Sequence, residues 1–144
     1  GIRDHCVTGV QTCALPICTF DILHVGHLKL LEFAASFGDL RVGIDSDKRV
    51  KELKGIDRPF NNTEDRKYFL ESLKFVKEVV VFDSRQELID MVKDYQPDIM
   101  VIGDDYKDQT VYGSEHAKTL VFFEKVPNYS TTNILQYEKN ISNR

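Results

Sequence analysis

The stretch TFDILHVGHLKLLEFAASFGD, residues 19–39, decides the fold. Apolar residues follow its two histidines at helical spacing, and Gly38 stands where a helix C-terminus is expected. The segment therefore predicts a helix that begins close to His24. Cys18 directly precedes the segment, at a predicted sharp turn where glycine would be the natural residue.

Strand-like and helix-like runs alternate through the rest of the chain. Ser84 followed by Glu87 is a capping-box signature for one of the helices. Strands buried on both faces and separated by helices predict an α/β fold with a doubly wound parallel sheet. Such a sheet binds its ligands at the carboxyl ends of the strands. The strand-like runs are LRVGID (residues 40–45), EVVVF (78–82), PDIMVIG (97–103) and TLVFFEKV (119–126).

The start of the chain, GIRDHCVTGVQTCALPI, does not match this pattern. A five-stranded sheet needs an apolar strand leading into Thr19, yet no strand is predicted there. The segment resembles the in-frame translation of a short-read sequencing adapter that ends one base into codon 18. A thymine in place of the first base of GGT or GGC would turn glycine into Cys18. We therefore expect residues 1–17 to be a non-native leader, residues 18–144 to form the domain, and the first strand to be replaced or damaged. The same leader in an independent genomic read without adapter would contradict this expectation.

Length and composition restrict the class of protein. The chain has 144 residues, a net charge of −4 and 42% hydrophobic residues, which predicts one ordinary globular domain. The negative charge argues against nucleic-acid or anionic-membrane partners. No apolar run is long enough to span a membrane and no signal peptide is evident. The three cysteines predict neither a disulfide framework nor a metal site. These features predict a reduced, cytoplasmic protein.

The two histidines stand at the start of the predicted helix. Backbone N–H groups and the positive end of the helix dipole favour an anion at such a position. His24 and His27 share one helix face, and Gly26 leaves room for a phosphate beside them. Together with the preceding residues Thr19, Phe20 and Asp21, the pattern indicates phosphate binding. A surface histidine pair and a metal site are the alternatives, although a metal would favour another spacing or nearby carboxylates.

A basic segment, DKRVKELKGIDRP (residues 47–59), follows the second strand-like run. Gly55 and Pro59 predict a loop, which could close over transferring phosphates. Lys48 and Arg49 are expected to be solvated. The candidate phosphate and acceptor contacts are Lys51, Lys54 and Arg58. Arg66, in the next helix, either reaches the same cleft or forms a surface salt bridge.

Two further segments carry candidate nucleotide contacts. Gly103, Asp104 and Asp105 end the fourth strand-like run, where the carboxylates would either accept hydrogen bonds from a ribose or base or form a turn. Ser130, Thr131 and Thr132 open the last helical pattern, either as a plain cap or as a second phosphate site. Two helix N-termini and a basic loop at one cleft indicate a nucleoside triphosphate.

These stretches resemble the cytidylyltransferase-like nucleotidyltransferase family across residues 18–144. The resemblance implies a Rossmann-like fold of the HUP type with a five-stranded sheet. Within the family, the adenylyltransferase domain of ADP-heptose synthases is similar in Leu53–Pro59, Arg66, Asp105–Lys107, Gly113–Ser114 and Ser130–Ile134. Glycerol-3-phosphate cytidylyltransferases share the histidine pair and the Ser-Thr-Thr end. They typically carry an arginine shortly before that end, and KVPNYSTT (residues 125–132) has none.

The family resemblance implies a reaction as well as a fold. AMP from ATP would be transferred to a sugar 1-phosphate such as heptose 1-phosphate, with release of pyrophosphate and with Mg²⁺ on the triphosphate. His24, His27 and Lys54 would contact the reacting phosphates, and Thr131 and Thr132 the outer ones. CTP-dependent transfer to glycerol 3-phosphate and a non-catalytic nucleotide-binding module are the alternatives. Family members are often homodimers, which makes a homodimer possible here.

Overall fold

The computed structural model describes residues 13–124, and these form one five-stranded parallel sheet with helices on both faces. The strand order is β3-β2-β1-β4-β5. This arrangement confirms the prediction of an α/β, doubly wound, Rossmann-like sheet. The strands are β1 (Cys13–Cys18), β2 (Asp39–Asp45), β3 (Val76–Phe82), β4 (Ile99–Gly103) and β5 (Thr119–Phe123). The helices are α1 (Val25–Ala35), α2 (Asp47–Lys54), α3 (Thr63–Glu71) and α4 (Arg85–Tyr95), with single 3-10 turns at Asp104–Tyr106 and Ser114–His116.

Two apolar cores cover the two faces of the sheet. Leu31 of α1 and Leu70 of α3 pack in the core on one face, whereas Leu88 and Met91 of α4 pack in the core on the other. Because neighbouring strand residues point to opposite faces, a strand can supply both cores. The two layers of helices hold the carboxyl ends of β1, β2 and β4 side by side, and the candidate site lies at this edge.

The first strand is present, so the prediction that no strand leads into Thr19 is wrong. Cys13–Cys18 pair in parallel with β2 on one side and β4 on the other. Ala14 and Leu15 are fully buried, because each faces a different core. Backbone pairing and apolar burial make few demands on residue identity, and CALPIC satisfies both. Most of the strand belongs to residues 1–17, and the adapter origin of this segment stays a prediction.

Pro16 interrupts this central strand. The ladder with β2 pairs Cys13, Ala14, Ile17 and Cys18 but omits the two residues between them. A proline has no N–H to donate and is rare in central strands for that reason. We expect Pro16→Val to raise the free energy of unfolding by about 1 kcal/mol, the net contribution of one hydrogen bond. Urea unfolding of the starting chain and of Pro16→Val measures the difference in the free energy of unfolding. A destabilised variant would show that the proline ring suits this strand.

The basic segment contains a helix where a loop was predicted. Ser46 accepts a hydrogen bond from the Arg49 N–H and begins α2, which ends at Gly55 with φ 106. Asp47 lies in the first turn and Lys51 in the last, as the helix dipole favours. The predicted cap of α4 is confirmed, since Ser84 Oγ accepts from the Glu87 N–H at 3.1 Å, while the Glu87 carboxylate accepts from the Asp83 N–H, one residue before the cap.

Two further expectations bear on the environment of the protein. Cys13 is disulfide-bonded, which differs from the expectation that the cysteines are reduced. Within residues 13–124, no helix is long and apolar enough to cross a membrane.

Candidate active site

The histidine pair lies at the N-terminus of α1 with a fixed geometry. His24 is the N-cap residue, and its Nδ1 accepts a hydrogen bond from the His27 N–H at 3.4 Å. The two rings are stacked, with centroids 3.8 Å apart and planes 17° from parallel. Phe20, which is fully buried, has its ring centroid 5.2 Å from that of His27. Because Nδ1 of His24 accepts, its Nε2 carries the proton when the ring is neutral and is then a donor.

His27 is held in the neutral form. Burial, reinforced by the positive charges of His24 and Lys54, lowers the pKa of His27 to about 3. Because the ring is neutral near pH 7, His27 can donate a hydrogen bond but does not supply a fixed positive charge; its contact with a phosphate stays a prediction.

The neutral state of His27 predicts that stability depends on pH. The pKa rises from about 3 in the folded chain to 6.5 in the unfolded one. The unfolded chain therefore takes up a proton as pH falls below 6.5 and the folded chain does not, so stability is full above pH 6.5 and declines below it. We expect a loss of about 2 kcal/mol between pH 7 and pH 5 from this residue.

Urea unfolding at the two pH values tests this expectation. His27→Gln, which does not titrate, should remove this part of the pH dependence. His116→Gln is the control and should retain it. The same loss in all three chains would show that another group titrates.

Lys54, the last residue of α2, lies close to the histidine pair and to β1. Its charge lowers the pKa of His27 and acts in the same direction on the Cys18 thiol. Lys54 is exposed, and no carboxylate of residues 13–124 forms an ion pair with it. The structure therefore brings His24, His27 and Lys54 together at one edge of the sheet, with the ammonium group available to an anion.

Asp21 is occupied by contacts within the protein. Its carboxylate accepts hydrogen bonds from the backbone N–H groups of Phe60 and Asn61, both at 2.8 Å, and from Arg58 Nε at 3.2 Å. Asn61 also donates to the Asp21 backbone oxygen at 2.8 Å. Asp21 thus fixes the loop that follows α2, and Arg58 holds this carboxylate instead of extending into solvent. The nucleotide contact of Asp21 and the acceptor contact of Arg58 stay predictions.

Arg66 is buried, so the alternative of a surface salt bridge is wrong. Its Nη1 donates to the backbone oxygens of Thr19 at 3.1 Å and Asp45 at 2.7 Å, and its Nε donates to the backbone oxygen of Asn61 at 3.0 Å. Its Nη2 reaches Asp47 at 2.9 Å. Arg66 therefore ties the ends of β1 and β2 to the loop after α2. These contacts favour a role in holding the site, and a direct nucleotide contact stays a prediction.

The remaining predicted residues are distributed around this edge. Gly26 lies in the first turn of α1, and Lys51 is exposed on α2. Gly103 ends β4, and a Cβ there would meet nothing within 4 Å in the described part of the chain, so the end of β4 is open to a ligand. Asp104 and Asp105 follow in the 3-10 turn. Ser130, Thr131 and Thr132 lie outside the described residues.

A cavity of about 220 Å³ opens at the carboxyl ends of β1 and β2, on the α4 side of the sheet. Apart from Thr19, the polar residues that line the cavity on β2, α2 and α4 were not among the predicted site residues. Arg49 was expected to be solvated, which is wrong, because its side chain is 16% exposed and lines the cavity. The polar and aromatic lining includes Thr19, Asp45, Arg49, Arg85, Tyr106 and Tyr112. A usable signal was the place of Asp45 at the end of a predicted strand, with a basic residue one helical turn later.

Cys18 lies where β1 ends and lines the same cavity. Among the described residues other than glycine, positive φ occurs at Phe20 and Gln96, so Cys18 does not take a left-handed backbone conformation. Burial raises the pKa of the Cys18 thiol above its usual value. The thiol is therefore protonated and weakly nucleophilic near neutral pH.

A parallel Rossmann-like sheet with paired histidines at its first helix defines a nucleotidyltransferase class of α/β protein. A family model described as cytidylyltransferase-like matches residues 17–142. The chain belongs to the cytidylyltransferase-like family, which confirms the resemblance drawn from the sequence.

Curated relatives extend this comparison. The chain is 50% identical over 120 residues to the bifunctional protein HldE of a Nitratiruptor species, a match that covers 81% of this chain and 25% of the relative. It is 49% identical over 120 residues to the bifunctional protein HldE of Sulfurimonas denitrificans, covering 81% of this chain and 24% of the relative. The chain thus spans about a quarter of the length of these relatives.

Solved structures share the fold. A lipopolysaccharide core biosynthesis protein from Thermoplasma volcanium superposes with a TM-score of 0.62 at 23% identity, covering 83% of this chain and 99% of that one. Pantoate-beta-alanine ligase from Francisella tularensis gives a TM-score of 0.60 at 16% identity, covering 96% of this chain and 72% of that one. At these identities the likeness concerns the fold alone.

Proposed function

We propose that this chain transfers AMP from ATP to a sugar 1-phosphate such as heptose 1-phosphate and releases pyrophosphate. The observation that carries the proposal is the stacked pair His24 and His27 at the N-terminus of α1, with the ammonium group of Lys54 nearby. The resemblance of Leu53–Pro59 and Ser130–Ile134 to the adenylyltransferase domain of ADP-heptose synthases favours heptose as the sugar. We expect the reaction to take place in the cytoplasm.

The chemistry requires positioning more than proton transfer. A phosphate oxygen of the acceptor attacks the α-phosphorus of ATP, and the bond from that phosphorus to the bridging oxygen of the β-phosphate breaks. The acceptor phosphate is already an anion, so no protein base or nucleophile is needed. Donors fixed before the reaction stabilise the charge that shifts onto the leaving pyrophosphate. His24, His27 and Lys54 supply such donors from two different elements.

The nucleotide substrate is the Mg²⁺ complex of ATP. Within residues 13–124 no group of three or more His, Cys, Asp or Glu side chains is arranged to hold a metal ion. Mg²⁺ retains several waters and is commonly held by substrate phosphates with one or two carboxylates, which fits this site. Asp104 and Asp105, beside the open end of β4, are the carboxylates we propose for the nucleotide side.

Two other functions stay open to test. CTP-dependent transfer to glycerol 3-phosphate uses the same histidine pair and is the nearest alternative. A nucleotide-binding module without turnover is the second, and the fixed donors of the site argue against it. A homodimer remains part of the proposal on the basis of the family resemblance.

Pyrophosphate release with Mg²⁺ tests the proposal when ATP and CTP are crossed with heptose 1-phosphate and glycerol 3-phosphate. We expect release with ATP and the sugar phosphate. Release restricted to CTP would support the cytidylyltransferase alternative, and nucleotide binding without release would support the binding module. The Cys18→Gly chain should be assayed in parallel, because it restores the residue that the family resemblance implies at the end of β1.

A further inference from the structure

The loop after α2 is held in place by one buried carboxylate. Asp21 is 2% exposed, and its two oxygens accept hydrogen bonds from the backbone N–H groups of Phe60 and Asn61. Arg58 Nε donates to the same carboxylate. These donors all belong to residues 58–61. Because a buried carboxylate is costly without hydrogen-bond partners, moving this loop would leave the charge of Asp21 uncompensated, and the loop is therefore held firmly.

The anchored loop begins at Lys54. Lys54 is the last residue of α2, and only three residues separate it from Arg58. The Arg58 N–H donates to the Gly55 backbone oxygen at 3.2 Å, which closes a turn between the end of the helix and the anchored residues. The backbone at Lys54 is therefore fixed on one side by α2 and on the other by a hydrogen-bonded turn that ends at Asp21.

Asp21 is connected to the histidine pair as well. Two residues separate it from His24, which begins α1, and Asn61 Nδ2 donates to the Asp21 backbone oxygen at 2.8 Å. The negative charge of Asp21 and the positive charge of Lys54 act on the pKa of His27 in opposite directions, so both groups lie near this ring. Asp21 thus joins the two elements that supply the phosphate donors, the N-terminus of α1 and the end of α2.

We propose that Asp21 is a positioning residue, which acts through the loop of residues 55–61 to hold the Lys54 ammonium group beside His24 and His27. Asp21 then contributes to phosphate binding without touching the substrate, since its oxygens already accept hydrogen bonds from the loop. The proposal rests on the proposed function, in which Lys54 is one of the three phosphate donors. A direct contact between Asp21 and the nucleotide is the alternative that the experiments separate.

Amide hydrogen exchange without substrate tests the anchor itself. In Asp21→Asn the N–H groups of Phe60 and Asn61 should exchange about tenfold faster or more, because the charged acceptor is lost. Asp57→Asn is the matched control, since it removes the same charge from an exposed position in the same loop and should leave both rates unchanged. Arg58→Gln keeps the carboxylate and is the milder second variant, with the same direction of change. Exchange in Asp21→Asn equal to that of the starting chain would overturn the proposal.

A double-mutant cycle tests whether Asp21 acts through Lys54. Calorimetry with the Mg²⁺ complex of ATP should show about 5- to 10-fold weaker binding in Asp21→Asn than in the starting chain. In the Lys54→Met background the same substitution should change the dissociation constant by less than about twofold, because the group that it positions is already absent. Equal weakening in both backgrounds would mean that Asp21 acts independently of Lys54 and would overturn the proposal. The expected cycle in a chain that releases no pyrophosphate would leave this proposal standing while the proposed function fails.

Steady-state kinetics separate positioning from substrate contact. Asp21→Asn should lower kcat about tenfold or more, since a small displacement of a donor is costly in the transition state. KM for the sugar 1-phosphate should change by less than about twofold. Arg58→Gln should show the same pattern with a smaller loss, and Asp57→Asn should retain the starting values. A rise in KM for the sugar phosphate with an unchanged kcat in Arg58→Gln would assign Arg58 to the acceptor instead of the anchor and overturn the proposal.

Discussion

His27→Ala should lower the rate of pyrophosphate release about 10²- to 10³-fold, the usual effect of removing one fixed donor to a charged transition state. The His27 ring stacks on His24 and contacts Phe20, so its position is set before substrate arrives. Alanine removes the donor and leaves the turn of α1 intact. The loss should appear in kcat more than in KM for ATP, because the interaction matters most as charge shifts to the leaving group.

Two further variants identify the cause of that loss. The pKa of His27, about 3, means that the ring is neutral in the free enzyme. A neutral donor should therefore replace it in part, and we expect His27→Asn to recover about tenfold of the lost rate. His116→Ala, in the 3-10 turn before β5, is the control and should retain the starting rate. An unchanged rate in His27→Ala would contradict the mechanism.

Arg66→Met should destabilise the fold by roughly 3–5 kcal/mol, the loss typical of removing one partner from a buried charged network. Methionine has a similar length, but it leaves the backbone oxygens of Thr19, Asp45 and Asn61 without the donors that now reach them. Domains of this size are stable by roughly 5–15 kcal/mol, so the variant should lose a large part of its stability. Urea unfolding measures the change as a shift of the midpoint.

Lys67→Met is the matched control for Arg66→Met. Lys67 is the next residue of α3, is 46% exposed and pairs only loosely with Glu71 at 3.6 Å. Its removal should change stability by less than about 0.5 kcal/mol. If Arg66→Met costs no more than Lys67→Met, the hydrogen bonds of the buried guanidinium do not hold the site together.

The fold could be predicted because the spacing of apolar residues along the chain indicates which segments are buried. Runs such as EVVVF have almost no polar face, so they had to be strands covered on both sides. The first strand could not be predicted, because CALPIC lacks strand periodicity and carries a proline. Its position depends on neighbours that are distant in sequence, with β2 and β4 supplying the pairing. The helix α2 could not be predicted because Gly55 and Pro59, which follow its end, are typical of a loop.

The site could be predicted only in part, because sequence shows which residues are charged and not which are already paired. His24, His27 and Lys54 were found because adjacent glycines and helix starts mark them. Asp21 and Arg66 were also selected, but their polar atoms contact the protein itself. The cavity was not found, since its lining comes from four strands (β1 to β4), from α2 and α4, and from the segment around Tyr112. No single stretch of sequence contains that arrangement.

The contacts of Arg66 have a consequence for how the cavity of such a domain can change. Arg66 holds Thr19 and Asp45 by their backbone oxygens, while the same two residues line the cavity. Substitution at either position would therefore change the lining of the cavity and leave the support from Arg66 in place. The support and the cavity lining come from different atoms of the same residues. This separation allows the lining to change during evolution while the frame that holds the strand ends is kept.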